Sequence, residues 1–249
     1  MFRAMLSIGT TLAGFFLSAV ALAQTPAVPA MTADEIVERN AAARGGLQAW
    51  RAVQSMSMRG TMDAGHDMTL PYSLELKRPR LLRLELEFQG NTAVQVYDGT
   101  HGWKFRPFLG KRVVEEMSPL ELRAAASETP LDGALIDYAA KGYRLELLGS
   151  DTVETKPAYK LKVTMPGKIV RNVWVDAGSF LEVKVDGTRR MDGKDRVMEV
   201  YLRDYRPEGG LLIPHVLETA IDGVKARHRL VVQNVTVNPT LAESRFARP

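Results

Sequence analysis

From Ser55 onward apolar and polar side chains alternate along most of the chain. Leu81 to Phe88 reads Leu-Leu-Arg-Leu-Glu-Leu-Glu-Phe, so a strand there carries Leu82, Leu84, Leu86 and Phe88 on one face and charges on the other. The same period of two places Met56, Met58 and Met62 on one face of an earlier strand, and Met68, Leu70, Tyr72, Leu74 and Leu76 on one face of the next. Val94 with Val96, then Trp103 with Phe105, line two further strands, and Gly90-Asn91 and Asp98-Gly99 offer the positive-φ residues that hairpins need. Alternation resumes over 143–148, 158–165 (Tyr159, Leu161, Val163 and Met165 inward), 169–176, 180–186, 197–205, 211–221 and 224–237. Turns fit Pro166-Gly167, Asp176-Ala177-Gly178 and Asp222-Gly223.

Helical spacing occurs only in short pieces. Thr32-Ala33-Asp34-Glu35 is a capping box, followed by Ile36, Val37, Ala41 and Arg44 until Gly45-Gly46. Leu47 to Val53 predicts a further short turn carrying Trp50. Between Met117 and Gly142 the strands are interrupted: Ser118-Pro119-Leu120-Glu121 starts one helix, which Pro130 ends, and Leu131 to Ala140 predicts a second, closed by Gly142. About twelve strands with no dividing linker predict a mainly β protein with helices. The form expected is one antiparallel meander, strongly curved and nearly closed.

Before this domain, Met1-Phe2-Arg3, an apolar run from Ala4 to Val20 and Ala21-Leu22-Ala23 make residues 1–23 a cleavable secretory signal peptide. That leaves 24–249 as a single exported domain, expected in the periplasm. It has no cysteine, so its core alone must hold it, and with 45% apolar residues the chain can supply one. The same lack removes thiol catalysis and cysteine-bound metals. A net charge of +4 spread among many acids favours weak, transient contact with an anionic membrane surface, and no basic cluster interleaved with aromatics points to nucleic acid.

Motifs for chemistry are missing. His66, His101, His215 and His228 stand apart from one another, and no nucleophile elbow, phosphate loop or dinucleotide fingerprint occurs. The chain thus reads as a non-enzyme without metal or cofactor. It does hold eleven methionines, whose flexible thioethers suit ligands of variable shape as well as ordinary core packing.

Two stretches carry a resemblance: Leu76-Lys77-Arg78-Pro79-Arg80-Leu81-Leu82-Arg83-Leu84, and Tyr97-Asp98-Gly99-Thr100-His101-Gly102-Trp103-Lys104-Phe105-Arg106-Pro107-Phe108. Together they resemble the LolA/LolB family of periplasmic lipoprotein carriers and acceptors. The resemblance implies an unclosed β-barrel of about eleven strands with a helical lid over an apolar cavity that shields acyl chains. It places the lid-locking role on Arg78 and cargo contact on Leu82. The inward faces then add Leu84, Leu86, Phe88, Leu74, Leu76, Met56, Met58, Trp103 and Phe105 to the cavity. The absent anchoring cysteine likens the chain to the soluble carrier rather than the acceptor. Its implied partners are acylated lipoprotein or lipid cargo, an inner-membrane donor complex and an outer-membrane acceptor. The alternative function is a lipid- or lipoprotein-sensing binding domain that acts on a protein partner.

Overall fold

The computed structural model describes residues 29–65, 68–128, 131–191 and 193–249. Residues 1–23, read above as a signal peptide, lie outside them, as do Pro130 and His66. Two helices open the described chain, α1 (Ala33–Ala43) and α2 (Leu47–Ala52). The capping box forms as expected: Thr32 N–H donates to Glu35 Oε2 at 2.7 Å and Glu35 N–H donates to Thr32 Oγ1 at 3.2 Å. Gly45 ends α1 at φ +110°, where an added Cβ would stand 2.4 Å from the Gly210 carbonyl oxygen.

Six strands follow: β1 (Ser55–Asp63), β2 (Thr69–Lys77), β3 (Leu81–Phe88), β4 (Asn91–Tyr97), β5 (Gly102–Arg106) and β6 (Lys111–Glu116). The single-turn 3₁₀ segment Pro107–Leu109 separates the last two. After α3 (Pro119–Glu128) come β7 (Arg144–Val153), β8 (Lys156–Met165), β9 (Ile169–Asp176), β10 (Glu182–Met191), β11 (Lys194–Glu208), β12 (Leu211–Ile221) and β13 (His228–Val237). All thirteen form one antiparallel sheet in the order β6-β5-β4-β3-β2-β1-β13-β12-β11-β10-β9-β8-β7. The expected open, curved meander is therefore present, with β6 as the strand that alternation did not reveal. The β3–β4 hairpin turns on Gln89 and Gly90, at φ 48° and 71°, one position earlier than the expected pair.

Strand neighbours in sequence are neighbours in the sheet, with one exception. β1 pairs with β13, joining the first meander (β1–β6) to the second (β7–β13). At that join the register shifts after Arg59, and Gly60 fits because a Cβ there would stand 1.9 Å from the Val231 carbonyl oxygen. The outer strands β6 and β7 do not pair with each other, and the chain between them, 117–143, connects the two free edges.

One correction concerns that connection. Leu131 to Gly142 is a run of turns rather than a second helix, because Gly133 and Asp137 adopt φ of 80° and 48°, which an α-helix cannot contain.

The inner face of the sheet is the one that carries the helices. Ile36 and Val37 of α1 and Leu135 of the turn segment pack there on Tyr159, Leu161, Val163 and Met165 of β8 and Val173 and Val175 of β9. Trp50 and Val53 pack on Met56, Leu211 and Ile213. Buried Arg44 ties these parts together. Its Nη1 donates to Glu182 Oε1 and to the Asp132 carbonyl, each at 3.1 Å, and its guanidinium lies 4.3 Å from the Trp50 ring centre. Part of the outer face is covered too: Phe246, with Leu241, packs on Leu81, Val94 and Val96.

α3 is fastened to the inner face by charge. Lys104 Nζ donates to both Glu121 oxygens at 2.6 Å, and Ser118 N–H donates to Glu121 Oε2 at 2.8 Å. Burial alone would raise the Glu121 pKa, but Lys104 and Ser118 override it and bring it from 4.5 down to about 2. A carboxyl with a depressed folded pKa stabilises the fold above its unfolded value and loses that contribution as pH falls through the folded one. Amide protection in α3, taken relative to the exchange rate of an unstructured chain at each pH, is therefore expected to fall between pH 5 and 2, and Glu121→Gln should remove that fall while leaving α3 less protected at neutral pH.

Candidate functional site

A cavity of about 600 Å³ opens where the two free sheet edges are bridged. It falls within the usual range for small-molecule sites of about 300–1,000 Å³. Four pieces of chain wall it: the β2–β3 corner with Arg78, Pro79 and Arg80; Arg123 and Ala126 of α3; Leu131, Asp132, Lys141 and Tyr143 of the bridge; and Met165, Pro166, Gly167 and Ile169 of the β8–β9 corner.

Arg78 stands at the junction of these pieces. Its Nε donates to the Val53 carbonyl at 2.7 Å, and its Nη2 donates to the Trp50 carbonyl at 3.3 Å and to Asp132 Oδ2 at 2.7 Å. One guanidinium thus holds the C-terminal end of α2 and the turn segment together, using the planar fork that arginine offers. Asp132, 2% exposed, also accepts from Lys141 Nζ. Lys141 donates in addition to the Gly133 and Ile136 carbonyls, at 2.8 and 2.6 Å. Burial lowers the Lys141 pKa, with the Asp132 carboxylate acting in the opposite direction.

The register assigns the other expected cavity residues to faces, since directly opposed residues in an antiparallel pair project to the same side. Met56 opposes Leu76, Met58 opposes Leu74, Leu76 opposes Leu82, Leu74 opposes Leu84, and Leu84 opposes Gln95. Gln95 in turn opposes Lys104, which holds α3. Met56, Met58, Leu74, Leu76, Leu82, Leu84, Leu86 and Phe88 therefore all lie on the inner face. Met56 and Leu76 are buried, whereas the other six are only half-buried, forming a broad apolar surface incompletely covered by the protein itself.

Trp103 and Phe105 do not belong to this set. They oppose Val96 and Val94, which oppose Arg83 and Glu85, and so project from the outer face, where they pack in the cluster with Leu81 and Phe246. β5 alternates Trp103 and Phe105 with Lys104 and Arg106, but alternation does not say which side faces inward; here the apolar side faces outward and is roofed by the C-terminal segment, while Lys104 on the inner side holds α3.

Asp132, Lys141 and Arg123 escaped the sequence reading. The one local signal was the Asp132-Gly133 pair, a turn mark inside a stretch of helical spacing. Among the described residues no group of three or more His, Cys, Asp or Glu is placed to hold a metal. Buried His215 instead meets the Val232 carbonyl through Nδ1 at 2.9 Å. No helix of the described residues is long and apolar enough to cross a membrane.

No protein-family model matches the chain, and no curated protein matches it in sequence. Solved structures do resemble it. A LolA superfamily protein from Nitrosomonas europaea aligns with a TM-score of 0.58 at 16% identity, over 88% of this chain and 98% of that one. An outer membrane lipoprotein-sorting protein domain from Vibrio parahaemolyticus gives 0.57 at 14% identity, over 85% and 94%. A DUF1329 family protein from Desulfovibrio piger gives 0.60 at 13% identity, over 86% and 96%. The chain thus has a LolA-like fold along most of its length, and the resemblance read from Leu76 to Phe108 holds at the level of the fold.

Proposed function

We propose that this chain is a periplasmic carrier that shields the acyl chains of lipoproteins or lipids in its inner hollow and delivers them towards the outer membrane. The observation that carries the reading is the half-buried apolar ladder Met58, Leu74, Leu82, Leu84, Leu86 and Phe88 on the inner face of the sheet, none of which lines the cavity of about 600 Å³ but whose strands β2 and β3 meet at the corner that does. A hydrocarbon tail gains about 0.8 kcal/mol for each CH₂ removed from water, so a chain of roughly fifteen carbons is held without specific polar contacts. The LolA-like fold, and the signal peptide read at residues 1–23, support export and a carrier role.

Release then needs a state in which the cavity is less favourable. The bridge 117–143 and the end of α2 form the movable roof, and Arg78 is its latch, bonded to carbonyls of one piece and a carboxylate of the other. The fraction of molecules with the roof open sets the apparent affinity. No cofactor enters this cycle.

Protein secreted by a Gram-negative host and extracted with organic solvent is expected to release acylated molecules identifiable by mass spectrometry, and Arg78→Leu is expected to change their transfer from donor vesicles. Protein that emerges empty, and binds no fluorescent acyl probe afterwards, would remove the carrier reading. Unchanged transfer by the Arg78 variant would remove the latch alone.

A further inference from the structure

The wall of the cavity is charged unevenly. Among the described residues it carries four cations, Arg78, Arg80, Arg123 and Lys141, and one carboxylate, Asp132. That carboxylate is engaged by the two inner cations, Arg78 and Lys141. The other two stand at the rim as exposed residues, Arg80 on the β2–β3 corner and Arg123 on α3, and Arg80 reaches α3 by donating to the Ala126 carbonyl. Tyr143 adds a hydroxyl to the same wall, and burial keeps its proton on. A fifth cation is close by. Arg171 of β9 opposes Val163, placing it on the inner face, and its charge acts on Tyr143. An apolar hollow needs no such collar to hold hydrocarbon, and like charges gathered at a rim repel one another unless an anion joins them.

We propose that this rim receives a phosphate-bearing head group, so that the cargo is an anionic phospholipid whose acyl chains enter the hollow and whose phosphate sits between Arg80 and Arg123. This deepens the carrier reading and rests on it. Two arginines on separate walls meet a phosphate from both sides with charge-assisted hydrogen bonds, which a neutral acyl glyceride cannot return. The Tyr143 hydroxyl supplies a further donor. Cargo seated this way would also draw α3 and the β2–β3 corner together, since each contributes one of the two arginines.

The test compares vesicles of dioleoyl phosphatidylglycerol with vesicles of dioleoyl phosphatidylcholine, which share acyl chains and phosphate and differ in net head-group charge. Lipid bound after separation from the vesicles is counted by native mass spectrometry. Phosphatidylglycerol is expected to bind at least about tenfold more tightly at low salt, with the margin shrinking in high salt. Arg80→Gln with Arg123→Gln is expected to bring phosphatidylglycerol down to the phosphatidylcholine level, and inorganic phosphate alone to leave both unchanged. Equal binding of the two lipids by the unaltered protein overturns the head-group site and leaves acyl binding standing. A preference that survives in the double variant overturns the two arginines as its source. Competition by millimolar inorganic phosphate overturns the lipid and makes the rim a free-anion site, and no binding of either lipid overturns the carrier reading as well.

Discussion

Asp132→Asn is expected to destabilise the folded chain by about 3 kcal/mol, measured as a fall in the urea midpoint at unchanged slope. The carboxylate is 2% exposed and accepts from Arg78 Nη2 at 2.7 Å and from Lys141 Nζ. An amide of the same shape removes the one negative charge that the described residues place on that cavity wall and leaves two cations whose fields already oppose each other at Lys141. Breaking a buried pair in this way costs about 3–5 kcal/mol, because the charge left behind has lost its water without keeping its partner. The Arg78 side chain is 30% exposed and regains some hydration, which sets the lower end of that range. Adding Lys141→Met to Asp132→Asn should cost less than the two single changes summed, since each relieves the other's unpaired group. A loss under about 1 kcal/mol in Asp132→Asn would mean that the cluster does not hold the roof.

Leu84→Asp is expected to weaken binding of a long-chain acyl probe at least about a hundredfold, near 3 kcal/mol, with little change in the stability of the empty protein. Leu84 lies mid-strand on the inner face, opposite Leu74 and between Leu82 and Leu86, and is half-buried. In the empty molecule a carboxylate there keeps contact with water. Cargo would strip that water away, and the cost of desolvating an unpaired charge subtracts from affinity. Phe105→Ala is the informative contrast, because Phe105 packs with Val94 and Trp103 on the outer face. It should lower the unfolding midpoint and leave probe affinity unchanged. An undiminished affinity in Leu84→Asp would place the hydrocarbon somewhere other than the inner face.

What the sequence made legible follows the physics of each segment. β3 could be read residue by residue, because Arg83, Glu85 and Glu87 mark one side and leucines the other. β4 could not, since both its sides are covered, the outer one by Leu241 and Phe246 from far along the chain. β6 reads Lys-Arg-Val-Val-Glu-Glu, without alternation, and as an edge strand with exposed Val113 it needs none. The turn segment 131–142 imitates a helix through Leu131, Leu135 and Tyr138, while Gly133 and Asp137 break it at positive φ. Arg78 could be singled out by resemblance, but its partner Asp132 stands 54 positions away, a distance that no local pattern spans.

The join between β1 and β13 has a bearing on how the molecule is made. Each meander forms from contacts close in sequence, so both half-sheets can assemble as soon as their own hairpins exist. Uniting them requires β13 to meet β1 across all the strands between them in sequence, closing the largest loop in the described fold at the largest cost in chain entropy. Until β13 arrives, β1 and β12 each present a bare row of amides and carbonyls beside a greasy floor. The unfinished chain is therefore two sticky shallow dishes, and the hazard of clumping is greatest just before the final strand turns them into a single vessel.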